Sequence, residues 1–191
     1  MTSKSERTKA RIMDAARSEF SRVGYQGATV RAIASEARID PSMIIRYFHS
    51  KAGLFDAVCE ISLRLPSLAD IPRDQVGAAL VRHYLSRWEG EVGDDSLVLL
   101  LRSSAVDQEA ALRLNAIFAG QLLPSLAEVV DDPEEVPARV GLVASQMLGL
   151  ALTRSILRIP PVVAMTTDEI IARIGRTVQN YLTAPLPPAQ S

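Results

Sequence analysis

TVRAIASEARIDPSMIIRYF, residues 29–48, carries two short helical signals separated by a three-residue break. Thr29 has the chemistry of a helix N-cap, because its hydroxyl can accept a hydrogen bond from a first-turn N–H that no carbonyl of the helix reaches. Ile33 and Ala37 share a face, which predicts a helix over 30–37. Arg38, Ile39 and Asp40 interrupt it. Asp40 is a second N-cap, and Pro41 suits the first helical position, where its missing N–H would be unpaired anyway. A second helix is predicted from 41 to about 48. Two short helices joined by such a turn form a helix-turn-helix, whose second helix enters the major groove of DNA.

The surroundings extend this pattern. Ile12, Ala16, Phe20 and Val23 recur at helical spacing, predicting a helix over 5–23 with Lys9, Arg11, Arg17 and Arg22 on its polar face. Gly24 is placed to end it in a left-handed conformation. Ser50 caps a fourth helix, expected over 51–65, with Leu54, Phe55, Val58, Ile61 and Leu65 as its buried stripe. The proline-bounded stretch 66–72 reads as a linker. Beyond it, Val76, Leu80, Tyr84 and Trp88 follow one helical face, and 97–101 opens another helix. The stretch 112–130 is interrupted by Gly120 and Pro124, and Asp131-Asp132-Pro133 starts a turn. An apolar helix then fills 137–159 and stops at Pro160-Pro161. Thr166 and Glu169 have the spacing of a capping box, and Ile170, Ile174, Val178 and Leu182 stripe the last helix. No run alternates with period two, so no sheet is expected. The fold class read from these signals is all-α, with about nine helices. The domains expected are a helix-turn-helix domain at 1–65, a helical domain at 66–183 and a disordered tail at 184–191.

The chain has 191 residues, 21 Lys+Arg against 22 Asp+Glu, and 48% hydrophobic residues. This is an ordinary globular composition, long enough for one or two domains. Residues 1–65 hold eleven basic against seven acidic side chains, while the remainder is acidic. That division suits a segment that meets a polyanion, although it also lies within ordinary scatter. One Cys excludes an internal disulfide, and MTSKSERTKAR has no apolar run of a secretory signal, so a cytoplasmic protein is expected. Cys59 reads as a small buried apolar residue. Only His49 and His83 are present, with no HExxH, GxSxG, phosphate loop or Cys/His metal spacing. The expectation is a protein that is not an enzyme and takes no cofactor or metal.

FSRVGYQGATVRAIASEARIDPSMIIRYFHSKAGLFDAV resembles the N-terminal domain of the TetR family of bacterial transcriptional regulators. Phe20, Gly24, Thr29, Val30, Ile33, Ala34, Ala37, Tyr47, Phe48, Lys51, Leu54 and Phe55 carry the resemblance. It implies Thr29 and Arg31 near the DNA backbone, and Pro41, Ser42, Met43, Ile45, Arg46 and Tyr47 on the recognition helix. Lys51, in the first turn of the next helix, is expected on a phosphate. Arg46 could bond guanine O6 and N7 together or contact phosphate only; Tyr47 is expected on phosphate. Phe20, Phe48, Leu54 and Phe55 are read as core. Two positions depart from the family. Arg38 stands where a small residue is usual, either tolerated or as an added phosphate contact. Ile45 replaces a common Tyr, and either meets a thymine methyl or packs inward.

The resemblance implies a ligand-binding and dimerisation domain for the rest. Gly141, Ser145, Gly149 and Thr153 recur every four residues, a smooth stripe on which another helix can approach closely. With Ile174 and Val178 of the last helix they are expected at a four-helix homodimer interface, an intrachain core helix being the alternative. Gln146, Arg154 and Arg158 interrupt the apolar run and argue against a membrane span. Tyr84, Trp88, Arg102, Phe118, Leu122, Gln146 and Met147 mix apolar walls with polar groups, as a small-molecule pocket requires; Leu101, Ser104 and Asn115 share that mixture. The resulting expectation is a ligand-responsive regulator, a repressor by the resemblance, whose homodimer binds a palindromic operator in double-stranded DNA and is released by a small-molecule effector. An activator of the same family, and a helical interaction module without DNA binding, are the alternatives.

Overall fold

The structure, a computed structural model, describes residues 4–89 and 95–185. The expected tail therefore lies, from 186 onward, outside the described residues. Helices α1 (Lys4–Gly27), α2 (Val30–Glu36), α3 (Pro41–Phe48) and α4 (Lys51–Val58) come first. They are followed by α5 (Val76–Glu89), α6 (Asp95–Ser104), α7 (Gln108–Ile117), α8 (Leu123–Ala127), α9 (Val136–Ala151), α10 (Pro160–Val163) and α11 (Thr167–Thr183). No strand occurs among the described residues, so the fold is all-α as expected.

Gly24, at φ 74° and ψ 170°, breaks the helical backbone inside α1, and one further turn follows it. Val23, expected on the buried stripe, is 38% exposed, so that stripe ends at Phe20 before the break. The fourth helix stops at Val58 and not at 65. Residues 60–67 form no helix, and at Ser62 and Leu63 side chains bond the backbone instead. The Leu63 N–H donates to Gln121 Oε1 at 2.7 Å, and the Leu63 carbonyl lies 2.8 Å from His83 Nε2. Arg87 donates to the Ser62 carbonyl at 3.0 Å. His83 is half-buried in this arrangement.

The interruption at Gly120 and Pro124 is a wide π-turn over Phe118–Leu122. Pro124 has no N–H to return to the preceding turn, and the Leu123 N–H reaches back to the Phe118 carbonyl. A second π-turn, Leu152–Ile156, ends α9.

Two compact units emerge, and the boundary differs from the expected one. The first contains the described residues up to Ile61 together with Asp95–Leu114; the second contains those from Ser62 to 89 and from Asn115 onward. The division falls before Pro66, and α6 joins the first unit because it packs on α1.

The first unit is closed by Ile12, Ala16, Phe20, Ile33, Ile44, Leu54 and Phe55, all essentially inaccessible to solvent. Phe55 meets Phe20 edge-on at 5.1 Å and lies 4.8 Å from the Tyr25 ring. The second unit is a bundle whose core includes Leu80, Val81, Leu126, Val140, Val143, Ile170 and Leu182. Within it α5 and α11 approach to backbone contact. A Cβ on Gly77 would stand 2.3 Å from the Gly175 carbonyl oxygen, and the Gly77 N–H donates to Gln179 Oε1 at 2.9 Å. The capping box at α11 forms as predicted: Thr166 accepts from the Glu169 N–H, and Glu169 accepts from the Thr166 N–H at 2.8 Å. Those bonds, from the Thr166 backbone and then its hydroxyl, hold the Glu169 carboxyl below its ordinary range.

The stretch Val136–Ile156 is long and apolar enough to cross a membrane by length and composition alone. It lies in the bundle instead, with Val136, Val140, Val143 and Leu150 in the core. The buried Arg139 guanidinium bonds Glu135 at 2.7 Å and the Tyr181 carbonyl at 2.8 Å, joining α9 to the end of α11.

Candidate nucleic-acid interface

Each helix of the 29–58 segment begins on the cap that its sequence specifies. Thr29 Oγ1 accepts from the Ala32 N–H at 3.1 Å, Asp40 from Ser42 at 2.8 Å, and Ser50 Oγ from Gly53 at 2.9 Å. Hydrogen bonds from Ser42 hold the Asp40 carboxyl below its ordinary range, so it stays an acceptor. Helix α2 ends in a doubly bonded turn: the Ile39 N–H returns to the Ala34 carbonyl and the Arg38 N–H to Ser35. This closure needs a left-handed residue between them, and Arg38 has φ 52°. Arg11 donates to the Ala37 carbonyl and, at 3.4 Å, to that of Arg38, bracing the turn from α1.

Ile44 and Phe48 anchor α3 in the core, which fixes what it turns outward. Pro41, Ser42, Ile45 and Arg46 are exposed, and Met43 and Tyr47 are half-buried. Ile45 is 47% exposed, which settles its alternatives in favour of an outward apolar side chain. Thr29 and Arg31 are also exposed at the start of α2. This surface combines the guanidinium groups of Arg31 and Arg46 with hydroxyl groups and an outward apolar side chain on a helix braced from behind. The polar groups can bond a base edge or a phosphate, and the apolar side chain can pack against a thymine methyl.

Two residues depart from their expected surroundings. Lys51 Nζ donates to the Tyr25 carbonyl at 2.9 Å and the Ala28 carbonyl at 3.1 Å, and sits 4.5 Å above the Tyr25 ring. Expected on a phosphate, its ammonium also binds carbonyls left open at the end of α1, which occupies two of its three N–H groups. Lys51→Ala is therefore expected to lower stability by about 1.5–3 kcal/mol, read in a urea titration. A loss of DNA affinity with no change in the unfolding midpoint would restore the simple phosphate role. Tyr47 accepts from Ser5 Oγ at 3.4 Å, with Lys9 Nζ 5.5 Å from its ring centre. Ser5 and Lys9 were missed as neighbours of α3, though their spacing of one helical turn places both on one side of α1.

The candidate pocket residues divide. Tyr84 and Trp88 stack at 5.5 Å on α5, and Phe118, Leu122 and Met147 pack against the core of the second unit, where Gln146 is half-buried. Arg102 does not belong with them. It sits on α6 in the first unit, at a cleft of about 270 Å³ with Phe20, Val23, Tyr25, Leu99 and Val106.

The expected dimer surface divides as well. Ser145 and Gly149 are exposed on α9, a Cβ added at Gly141 would meet no atom within 4 Å, and Leu142 and Leu152 are exposed beside them. Thr153 spends its hydroxyl on the Gly149 carbonyl at 2.7 Å. Ile174 is partly buried against the core. Val178 is fully buried inside its own chain, so it cannot meet a partner; its position on α11 faces the core, which the stripe alone did not distinguish from an interface.

Comparison with known proteins agrees with this geometry. Residues 12–58 match the profile described as "Bacterial regulatory proteins, tetR family", and residues 74–182 that of a "Tetracyclin repressor-like, C-terminal domain". The HTH-type transcriptional repressor SCO4008 of Streptomyces coelicolor is 47% identical over 55 residues, a match spanning 29% of this chain and 29% of that repressor. The TetR-family regulator SCO0857 of Streptomyces coelicolor A3 superimposes with a TM-score of 0.66 at 28% identity, covering 92% of this chain and 94% of that one. NalD of Pseudomonas aeruginosa, the secondary repressor of the MexAB-OprM multidrug efflux pump, shares the fold with a TM-score of 0.68 at 18% identity. That superposition covers 95% of this chain and 100% of NalD.

Proposed function

Because the chain belongs to the TetR family of bacterial transcriptional regulators, we propose that it is a ligand-responsive transcriptional repressor that binds a palindromic operator as a homodimer. The observation that carries this reading is the outward face of α3, where Ser42, Ile45 and Arg46 stand exposed on a helix held by Ile44 and Phe48. Two such helices in a dimer read successive major-groove turns about 34–36 Å apart. Thr29 and Arg31, exposed at the start of α2, face the phosphates that flank the groove.

The direct test is fluorescence anisotropy of the purified chain on the DNA upstream of its own gene. Saturable binding that weakens steeply with salt and exceeds binding to scrambled DNA supports a repressor. Affinity that is equal for both, or absent, refutes it. Arg46→Ala is expected to cost about 1–3 kcal/mol on operator DNA and to relax preference at one half-site position. Equal losses on operator and scrambled DNA would leave Arg46 with a phosphate role only.

The effector binds in the second unit, beside Tyr84, Trp88, Phe118, Leu122, Gln146 and Met147, which offer aromatic and aliphatic walls with few polar groups. Trp88 is the single tryptophan, so its fluorescence reports binding there. An effector that releases DNA must bind the DNA-incompetent arrangement more tightly, and operator DNA must weaken its binding by the same factor.

A further inference from the structure

We propose that Arg38, in the turn between α2 and α3, is a phosphate anchor of the DNA-binding surface, retained at the expense of backbone strain. This rests on the DNA-binding reading above. Arg38 occupies the left-handed position of the turn, with φ 52°, a conformation that favours glycine because an L side chain crowds its own backbone there. The turn closes through the Arg38 and Ile39 backbone N–H groups, which are kept whatever side chain other than proline stands at 38. Its free carbonyls are covered from α1 by Arg11, which donates to those of Ala37 and Arg38. The Arg38 side chain is thus not needed to build the turn.

Nor does the side chain have another occupation. It is exposed, and its guanidinium makes no hydrogen bond or ion pair among the described residues. Asp40, the acid nearest in sequence on the α3 side, is directed to the Ser42 N–H. In a helix-turn-helix the first helix crosses the DNA backbone and the second enters the groove. The turn between them must therefore pass the phosphates that form the groove edge. A guanidinium there can form paired hydrogen bonds to one phosphate, which a glycine cannot.

The two roles predict opposite responses in stability and binding. Wild type, Arg38→Gly and Arg38→Gln are titrated onto a labelled random-sequence duplex of about 40 base pairs between roughly 50 and 200 mM salt. Each is also melted without DNA. Both variants should bind about tenfold more weakly at the low-salt end. With two copies per dimer, the slope of log affinity against log salt should be shallower by about 1.8. Arg38→Gly should melt no lower than wild type, and about 2 °C higher where the relieved strain outweighs the freer unfolded chain. An unchanged slope in both variants, with wild type binding normally, overturns the anchor. A melting temperature for Arg38→Gln well below that of wild type overturns it too, by giving the side chain a structural role. Absence of binding by wild type at low salt removes the DNA-binding reading itself.

Discussion

Gly77→Val is expected to lower the melting temperature by about 6–12 °C, a loss of roughly 3 kcal/mol or more. The atoms a side chain would meet are backbone: the Gly175 carbonyl oxygen at 2.3 Å and the Gln179 nitrogen at 2.6 Å from the added Cβ. No rotamer change relieves an overlap with backbone, so α5 and α11 must move apart. Their separation opens the packing of Val76 and Leu80 against Ile170 and Val178, all buried in one core. Gly120→Ala is the matched control, because an added Cβ there meets nothing within 4 Å. Thermal melting followed by circular dichroism separates the two. Equal midpoints for Gly77→Val and wild type would show that the two helices do not pack in backbone contact.

Gly149→Leu should act on assembly and leave the folded chain alone. Gly149 is exposed, and beyond its own turn of helix nothing lies within 4 Å of the position a Cβ would take. The Cβ of a leucine there meets no neighbouring element, so the melting behaviour of the monomer is expected to be preserved. Across a homodimer seam it overpacks the close approach, costing roughly 1–3 kcal/mol or more, and so weakens the dimer by about 10- to 100-fold. Operator binding falls with it, since one subunit reads one half-site. Light scattering at micromolar concentration is the measurement. A wild-type monomer, or a Gly149→Leu dimer of unchanged strength, would move the interface away from α9.

The N-terminal region was legible because its signals are local. Thr29, Asp40 and Ser50 each bond an N–H two or three residues ahead, and Pro41 opens α3 where its ring is tolerated. A short-range pattern suffices for such bonds. The end of α4 was not legible, since it depends on Gln121 and His83, 58 and 20 residues from Leu63. The role of Lys51 was hidden for the same reason: its partners Tyr25 and Ala28 lie on the far side of a helix-turn-helix. Small residues were read in one place and overlooked in another. The four-residue stripe on α9 was visible, whereas the Gly77–Gly175 contact joins single glycines on helices distant in the chain. Val178 illustrates the general difficulty. Periodicity identifies an apolar face, but whether that face meets the same chain or another is decided by tertiary packing.

The discontinuous first unit has a consequence for how the molecule is made. A nascent chain emerges from its N-terminus, so α1 to α4 leave the ribosome before α6, the helix on which α1 packs. Synthesis from Ile61, where the first piece ends, to Ser104, the last residue of α6, takes roughly 2–9 seconds at about 5–20 residues per second. Throughout that interval the side of α1 destined for α6 has no native partner, while short-range helix formation is complete within microseconds. The unit thus assembles in two instalments, and the second cannot begin until translation has delivered α6.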